Sequence, residues 1–171
     1  NWGSGLLKIN DINNGFNTTF YDTSNSPLTG AVTTATGYVI TGDVKEDYNG
    51  NTWILNYGEG NTGPLLIALD PNSNFHSFEN RTVNTERRFL EMEIDNYGIK
   101  WVGSNKFSKG IYYFFENYTL DDKTDDIYGV LNTANSDLSE NEIKTLAVDR
   151  TGILWIGTNS GLDFIYDTYS A

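Results

Sequence analysis

One pattern, Asp-x-x-Gly-x-x-Trp followed by Ile or Val, occurs three times in this 171-residue chain. In each copy we expect the Asp carboxylate to cap a tight turn and the Gly to supply the positive φ that closes it. The Trp then lies on the returning strand, so each copy predicts a strand, a turn and a second strand. The nine residues of the pattern are Asp47, Gly50, Trp53, Asp95, Gly98, Trp101, Asp149, Gly152 and Trp155.

The distance between copies predicts a blade repeat. The three Trp residues are 48 and 54 positions apart, close to the roughly 40–50 residues of a four-stranded propeller blade. Apolar residues alternate before each Asp, as expected for a first strand, and the Trp strand is the second. Third strands are expected at Leu65–Leu69, Ile111–Phe115 and Leu162–Tyr166, and fourth strands at Phe16–Tyr21, Asn74–Phe78 and Ile127–Leu131. No stretch has a sustained helical period, so almost no helix is expected.

The strand count predicts an all-β chain, a β-propeller with about three to four four-stranded blades visible. Residues 1–37 then form the end of one blade, 38–85 and 86–137 two further blades, and 138–171 an incomplete last blade. A closed propeller needs about four to eight blades, because closure removes the exposed edges. We therefore expect a fragment of a larger, seven-bladed type of propeller. The alternative is a small four-bladed ring closed by an irregular first blade.

Composition excludes several classes of function. The chain has no Cys, which removes disulfides, thiolate metal sites and Cys nucleophiles. A net charge of −12 repels phosphate backbones and anionic lipid, so neither nucleic acid nor a membrane surface is an expected partner. No apolar run is long enough to span a membrane.

The third copy resembles the two-component regulator propeller repeat. The resemblance rests on Leu-Ser-x-Asn-x-Ile at 138–143, on Asp-x-x-Gly-x-Leu-Trp-Ile-Gly-Thr at 149–158, and on Gly161-Leu162. It is weaker over 38–70, where the Gly two places after Trp53 is missing. Such repeats form periplasmic sensor propellers of hybrid two-component systems, and similar repeats build envelope and secreted proteins of the type IX secretion pathway. The resemblance therefore implies a periplasmic, cell-surface or secreted location in a Gram-negative envelope.

Each candidate for chemistry has a structural alternative. The three repeated Asp residues could be catalytic carboxylates, but their identical positions favour turn capping. The three Trp residues could stack on sugar rings, but a place between blades favours core packing. One acidic cluster, Asp121, Asp122, Asp125 and Asp126, is a candidate calcium site because calcium binds six to eight oxygen ligands. The usual order of a calcium loop is absent, and a solvated acidic loop is the commoner outcome. No other cofactor is expected.

The remaining polar candidates point to the surface. His76, the only histidine, is expected on the exposed face of an outer strand, since no second His or Cys could share a metal with it. Arg87 and Arg88 precede a first strand and could bind an anion at one end of the channel. Pairing with surface carboxylates is the simpler expectation for both. Nucleophile and phosphate-loop motifs are absent from the sequence.

These observations predict a non-catalytic binding or scaffold module that contacts the rest of its propeller chain and a protein or glycan ligand. The loops 57–63, 104–110 and 158–161 should line one rim, although no single binding residue can be assigned. Two alternatives stay open. One is the periplasmic sensor domain of a hybrid histidine kinase, and the other is a polysaccharide lyase or glycosidase on a propeller scaffold.

Overall fold

The computed structural model describes residues 3–11, 13, 15–58, 63–82, 87–105 and 109–170. Within these residues the only regular secondary structure is β-strand, so the all-β prediction is confirmed. The strands are β1 Leu6–Asp11, β2 Asn17–Tyr21, β3 Ile40–Glu46, β4 Thr52–Tyr57, β5 Leu66–Leu69, β6 Phe75–Phe78, β7 Phe89–Ile94, β8 Lys100–Ser104, β9 Ile111–Phe115, β10 Ile127–Leu131, β11 Ile143–Val148, β12 Leu154–Thr158 and β13 Leu162–Ile165. The predicted third and fourth strands agree with these bounds to within one residue at each end.

The strands form four antiparallel sheets in which sequence neighbours pair. The first sheet has two strands (β1–β2), the next two have four each (β3–β6 and β7–β10), and the last has three (β11–β13). Each sheet lies within one of the four segments expected from the repeat, while the segment boundaries, which fall in connections, stay a prediction. The first strands β3, β7 and β11 pack side by side, as the inner strands of successive propeller blades do.

Each sheet of the repeat has two distinct ends. The turn end carries the Asp-x-x-Gly turns that join β3 to β4, β7 to β8 and β11 to β12. The loop end carries the connections from each second strand to the third and from each blade to the next. All three first strands have a register shift near the loop end, between Thr41 and Val44, Phe89 and Glu91, and Ile143 and Thr145. These bulges bend the inner strands.

The hydrophobic core lies between sheets. Trp53 is fully buried and packs with Phe78, Met92 and Phe114, which joins the second sheet to the third. Trp101 is 1% exposed and packs with Ile143 and other residues of the fourth sheet. Core packing is therefore confirmed for these two indoles. The strands of Trp53 and Trp101 thus each face the sheet that follows in the chain.

The last sheet has no such cover in the described part of the chain. Trp155 is only partly buried and contacts Phe164, which is 59% exposed. Leu162 is 64% exposed, whereas Ile111, its counterpart in the third sheet, is fully buried. Among the described residues, the extensive strand contacts between sheets join the second sheet to the third and the third to the fourth, and none joins the last sheet to the first. The described sheets thus form an open propeller fragment, and the four-bladed ring is wrong.

Candidate functional site

The three repeated aspartates perform the same structural task. In the second copy Asp95 Oδ1 accepts hydrogen bonds from the backbone N–H groups of Tyr97 and Ile99, both at 2.9 Å. Its Oδ2 accepts a 2.8 Å hydrogen bond from the indole Nε1 of Trp101. The same indole bond joins Trp53 to Asp47 at 2.8 Å and Trp155 to Asp149 at 2.9 Å. Both oxygens of each carboxylate therefore hold the turn and its Trp.

The glycines of the pattern close these turns from the left-handed region. Gly50, Gly98 and Gly152 have φ values of 78°, 85° and 90°, and each donates its N–H to the carbonyl of the Asp three residues earlier. Hydrogen bonds lower the pKa of Asp149 to about 2, first from the Thr151 hydroxyl and then from the Trp155 indole. The Asp149 carboxylate is thus held ionised as an acceptor, which suits a structural role and not proton transfer near neutral pH.

The four aspartates of the predicted calcium cluster contact different partners. Asp122 Oδ1 accepts from the backbone N–H of Thr124, while Asp125 accepts from the Thr119 hydroxyl at 3.0 Å. The other two reach the neighbouring sheet: Asp121 lies 3.1 Å from His76 Nδ1, and Asp126 lies 3.3 Å from Arg81 Nη1. In the part of the chain that the structure describes, no three acidic or His side chains are grouped closely enough to hold a metal ion. In the described structure this loop fastens one sheet to the next.

His76 lies on the outermost strand of its sheet, as predicted, but the expected exposure is wrong. Its side chain is only 13% exposed, because the loop between β9 and β10 covers it. The Nε2 atom lies 3.6 Å from Asp70 Oδ2 on the same sheet. Long-range packing between blades, which sequence alternation does not report, explains the difference.

Arg87 is also misplaced by the sequence analysis. It is 2% exposed rather than at the surface, and its Nη1 donates a 2.6 Å hydrogen bond to the Thr29 hydroxyl. Its Nη2 donates to the carbonyl oxygen of Gly30 at 3.4 Å. Burial lowers the pKa of the guanidinium, which nevertheless stays charged at neutral pH. Arg88, by contrast, is partly buried, and its carbonyl accepts from the Ser104 hydroxyl at 3.5 Å.

Beside Arg87 lies a cavity of about 400 Å³ at the loop end, which we call the Arg87 cavity. It is lined by Thr23, Leu28, Thr29, Gly30, Val32, Thr33, Thr36 and Arg87. Most of this wall comes from the long connection between β2 and β3. A Cβ at Gly58 would collide with the Arg87 guanidinium, and one at Gly63 would collide with Thr29. The described ends of loop 57–63 thus pack against the cavity wall.

A second repeat at the loop end escaped the sequence analysis. The connections after β2 and β10 begin with Asp22-Thr-Ser-Asn-Ser-Pro-Leu28 and Asn132-Thr-Ala-Asn-Ser-Asp-Leu138. In both, an Asn side chain accepts from the first backbone N–H, Asn25 at 2.9 Å and Asn135 at 2.8 Å, and donates back to the preceding strand, to Phe20 and Val130. A Ser hydroxyl, from Ser26 and Ser136, closes each loop in the same way. The spacing of 110 residues, two blades apart, is the signal that could have revealed it.

Of the three loops predicted to line one rim, the structure describes one in full and two in part. Residues 59–62 of loop 57–63 and 106–108 of loop 104–110 lie outside the described residues. Loop 158–161 is described in full, and Ser160 donates from its backbone N–H to Glu140 Oε2 at 3.1 Å. The prediction that the three loops lie at one end therefore depends on the positions of the strands that flank them and on loop 158–161.

Comparison with known families supports the repeat. Residues 137–160 match the family model described as two component regulator propeller. No curated protein matches the chain significantly. In the described structure no helix is long and apolar enough to cross a membrane.

Several solved structures are similar to this chain. PorZ, a surface component of the type-IX secretion system of Porphyromonas gingivalis, matches with a TM-score of 0.76 and 24% identity over 99% of this chain and 23% of that chain. The extracellular domain of the putative hybrid two component system BT3049 from B. thetaiotaomicron matches with a TM-score of 0.55 and 21% identity, over 85% of this chain and 17% of its own. The extracellular domain of the putative hybrid two component system BT4673 from the same organism matches with a TM-score of 0.52 and 19% identity, over 74% of this chain and 15% of its own. This chain therefore has a propeller fold and spans less than a quarter of each of these chains.

Proposed function

We propose that the chain is a non-catalytic binding and scaffold module of a bacterial cell-envelope or secreted protein, associated with type IX secretion, that binds a protein or glycan ligand at the loop end. The observation that carries the proposal is the Arg87 cavity. It brings a buried cation, several hydroxyl groups and two apolar side chains, Leu28 and Val32, into one concave site. Concave, mostly preformed sites with a few placed polar groups are the usual ligand sites of proteins.

The chemistry of the repeat favours binding over catalysis. Asp47, Asp95 and Asp149 use both carboxylate oxygens as acceptors from their own turns and Trp side chains. A general acid or base needs an oxygen within reach of the substrate and a pKa near the working pH. These carboxylates support rigid blades, and rigid blades position the loops that carry specificity.

The envelope setting is supported by the likeness to a secretion-system surface component. A second candidate, the sensor domain of a hybrid two-component system, is favoured by the likeness to two extracellular domains of such systems. Both candidates use a propeller as a binding module. They differ in the domains attached to it, so the gene that encodes the chain would distinguish them.

A pair of neighbouring substitutions tests the site. Thr33→Trp places a large side chain at the cavity wall, whereas Thr34→Trp adds the same bulk to an exposed residue outside the lining. Wild type and both variants would be applied to glycan and peptide arrays at physiological salt. We expect Thr33→Trp to lose at least tenfold in binding to the ligands found, and Thr34→Trp to retain it. Equal binding by the two variants, or no ligand on either array, would exclude the cavity as the binding site.

A further inference from the structure

Another cavity, of about 330 Å³, lies at the turn end between the third and fourth sheets, and we call it the tyrosine pocket. The described residues that line it are Tyr97, Ile99, Trp101, Tyr113, Phe115, Asn117, Ile127, Thr168 and Tyr169. We propose that this pocket binds the side chain of a lysine on a partner protein. Because the pocket lies at the opposite end of the sheets from the Arg87 cavity, the inference is independent of the function proposed above.

Aromatic rings form much of the wall of the tyrosine pocket. The buried Trp101 contacts Tyr113 with ring centroids 5.7 Å apart. Tyr97 and Tyr169, which are both exposed, contact each other at 5.2 Å and connect the turn of the third sheet to the segment after β13. The faces of aromatic rings carry negative partial charge, and they attract an ammonium group most strongly where water is excluded.

The electrostatic surroundings of the pocket favour a cation. None of the described lining residues carries a charge, but two carboxylates accept hydrogen bonds from lining side chains. Asp95 Oδ2 accepts from the Trp101 indole at 2.8 Å, and Asp125 Oδ2 accepts from Asn117 Nδ2 at 3.4 Å. The chain as a whole has a net charge of −12. This field attracts an ammonium group and repels a carboxylate or a phosphate.

A buried hydroxyl group in the wall supplies a polar contact. Thr168 is 3% exposed, and in the described structure its Oγ1 has no hydrogen-bond partner. An unpaired buried polar atom destabilises a protein, so a ligand that pairs with it gains binding energy. A primary ammonium can donate to this oxygen, whereas a quaternary ammonium has no N–H to donate. A guanidinium has five N–H donors and would need several acceptors.

The neighbouring interface shows the same kind of contact within the chain itself. Between the second and third sheets, Lys100 Nζ lies 4.0 Å from the ring centroid of Trp53, and Lys123 Nζ lies 4.9 Å from that of Phe78. Between the third and fourth sheets Leu154 takes the place of Lys100, and no lysine is among the described residues that line the tyrosine pocket. A lysine from a partner would thus make in one interface the contact that the chain makes in the other.

The test is an NMR titration of ¹⁵N-labelled protein at pH 7 with three probes of similar shape. Nα-acetyl-lysine amide carries the ammonium group, Nα-acetyl-norleucine amide lacks it, and Nα-acetyl-trimethyllysine amide keeps the charge without an N–H donor. We expect the lysine probe to shift the amide signals of Asn117, Thr168 and Tyr169 in a saturable way. It should bind at least tenfold more tightly than the norleucine probe and at least threefold more tightly than the trimethyllysine probe. Higher salt should weaken it.

Variants connect the response to the wall of the pocket. Tyr169→Leu removes an exposed ring, and we expect it to weaken the lysine probe at least threefold. Tyr166→Leu makes the same change at an exposed residue outside the described lining, and it should bind as the wild type does. Thr168→Val keeps the shape of the side chain and should weaken the lysine probe but not the trimethyllysine probe. Because the lost hydroxyl is unpaired, the Tm of Thr168→Val should stay the same or rise.

Several outcomes would overturn the inference. Equal affinity for the lysine and norleucine probes would make the pocket an apolar site, and tighter binding of trimethyllysine or of Nα-acetyl-arginine amide would assign it to another cation. Tighter binding of methyl glucoside would make it a sugar site. Equal affinity in Tyr169→Leu and Tyr166→Leu would place the lysine elsewhere, and a lower Tm in Thr168→Val would show that the hydroxyl has a partner within the protein. None of these outcomes bears on the Arg87 cavity, which Thr33→Trp tests separately.

Discussion

The Nζ of Lys100 lies 4.0 Å from the ring centroid of Trp53, although the two residues belong to different sheets. Lys100 is fully buried and is paired with Glu116, which is 3% exposed. Burial lowers the pKa of this lysine, and the adjacent Glu116 opposes the shift. A cation, an aromatic ring and a carboxylate thus join the second and third sheets at the position where the third copy of the repeat has Leu154.

Removing the charge of Lys100 alone should destabilise the folded protein. Lys100→Met leaves Glu116 buried without its partner, and we expect a loss of about 3–5 kcal/mol in the free energy of unfolding. The double variant Lys100→Met/Glu116→Gln removes the uncompensated charge and should recover a large part of that loss. Urea denaturation of the three proteins measures both values. A double variant as unstable as the single one would show that the ion pair is not the cause.

The hydrogen bond from the Trp indole to the Asp carboxylate should contribute most to the free energy of unfolding where it is buried. Asp95 is fully buried, so Asp95→Ala leaves the Trp101 indole and two backbone N–H groups without their acceptor and should cost about 2–4 kcal/mol. In Asp149→Ala the corresponding groups are closer to solvent, and water replaces the lost acceptor. A smaller loss is therefore expected, and equal losses in urea denaturation would contradict this reading.

Acid should remove the contribution of Asp149. Its pKa in the folded protein is about 2, below the usual aspartate value of 3.8, so the ionised carboxylate stabilises the fold above about pH 4. That contribution is lost as the pH falls from about 4 to about 2. The difference in Tm between wild type and Asp149→Asn should therefore be largest near pH 6 and shrink across this window. A difference that stays constant from pH 6 to pH 2 would argue against the shifted pKa.

The second repeat predicts a pair of equivalent effects. Asn25→Ala and Asn135→Ala each remove one side chain that accepts from a loop N–H and donates to the preceding strand. Because the bonds lie in exposed loops, each change should cost about 1 kcal/mol. Asn72→Ala, a change at an exposed residue of another loop, is the control. Losses in thermal unfolding no larger than that of the control would refute the equivalence.

Calcium should leave the stability of the chain unchanged. Asp121 and Asp126 pair with His76 and Arg81, while Asp122 and Asp125 accept hydrogen bonds within their own loop. Their oxygens therefore do not converge on one point. Thermal unfolding with 1 mM calcium and with a chelator should give the same Tm, and a clear rise with calcium would support the predicted site.

Local features of the chain were predictable because they depend on neighbours in sequence. Asp95, Gly98 and Trp101 lie within seven residues, and the turn that they form follows from side-chain capping, positive φ and strand alternation. The division of the last eleven strands into three sheets follows from repeating that turn. The hydrogen bond from the indole to the Asp carboxylate was not expected, although the constant spacing of six residues indicated it.

The tertiary structure decided the rest, because the deciding contacts join residues that are far apart in sequence. His76 is covered, and the acidic residues 121–126 are divided, because one blade's loop packs on the outer strand of another. Arg87 is buried because Thr29, 58 residues earlier, accepts its Nη1 hydrogen bond. The strands and turns of the blade were thus determined locally by the sequence. The packing between blades determined which polar side chains face solvent and placed the Arg87 side chain in a cavity wall.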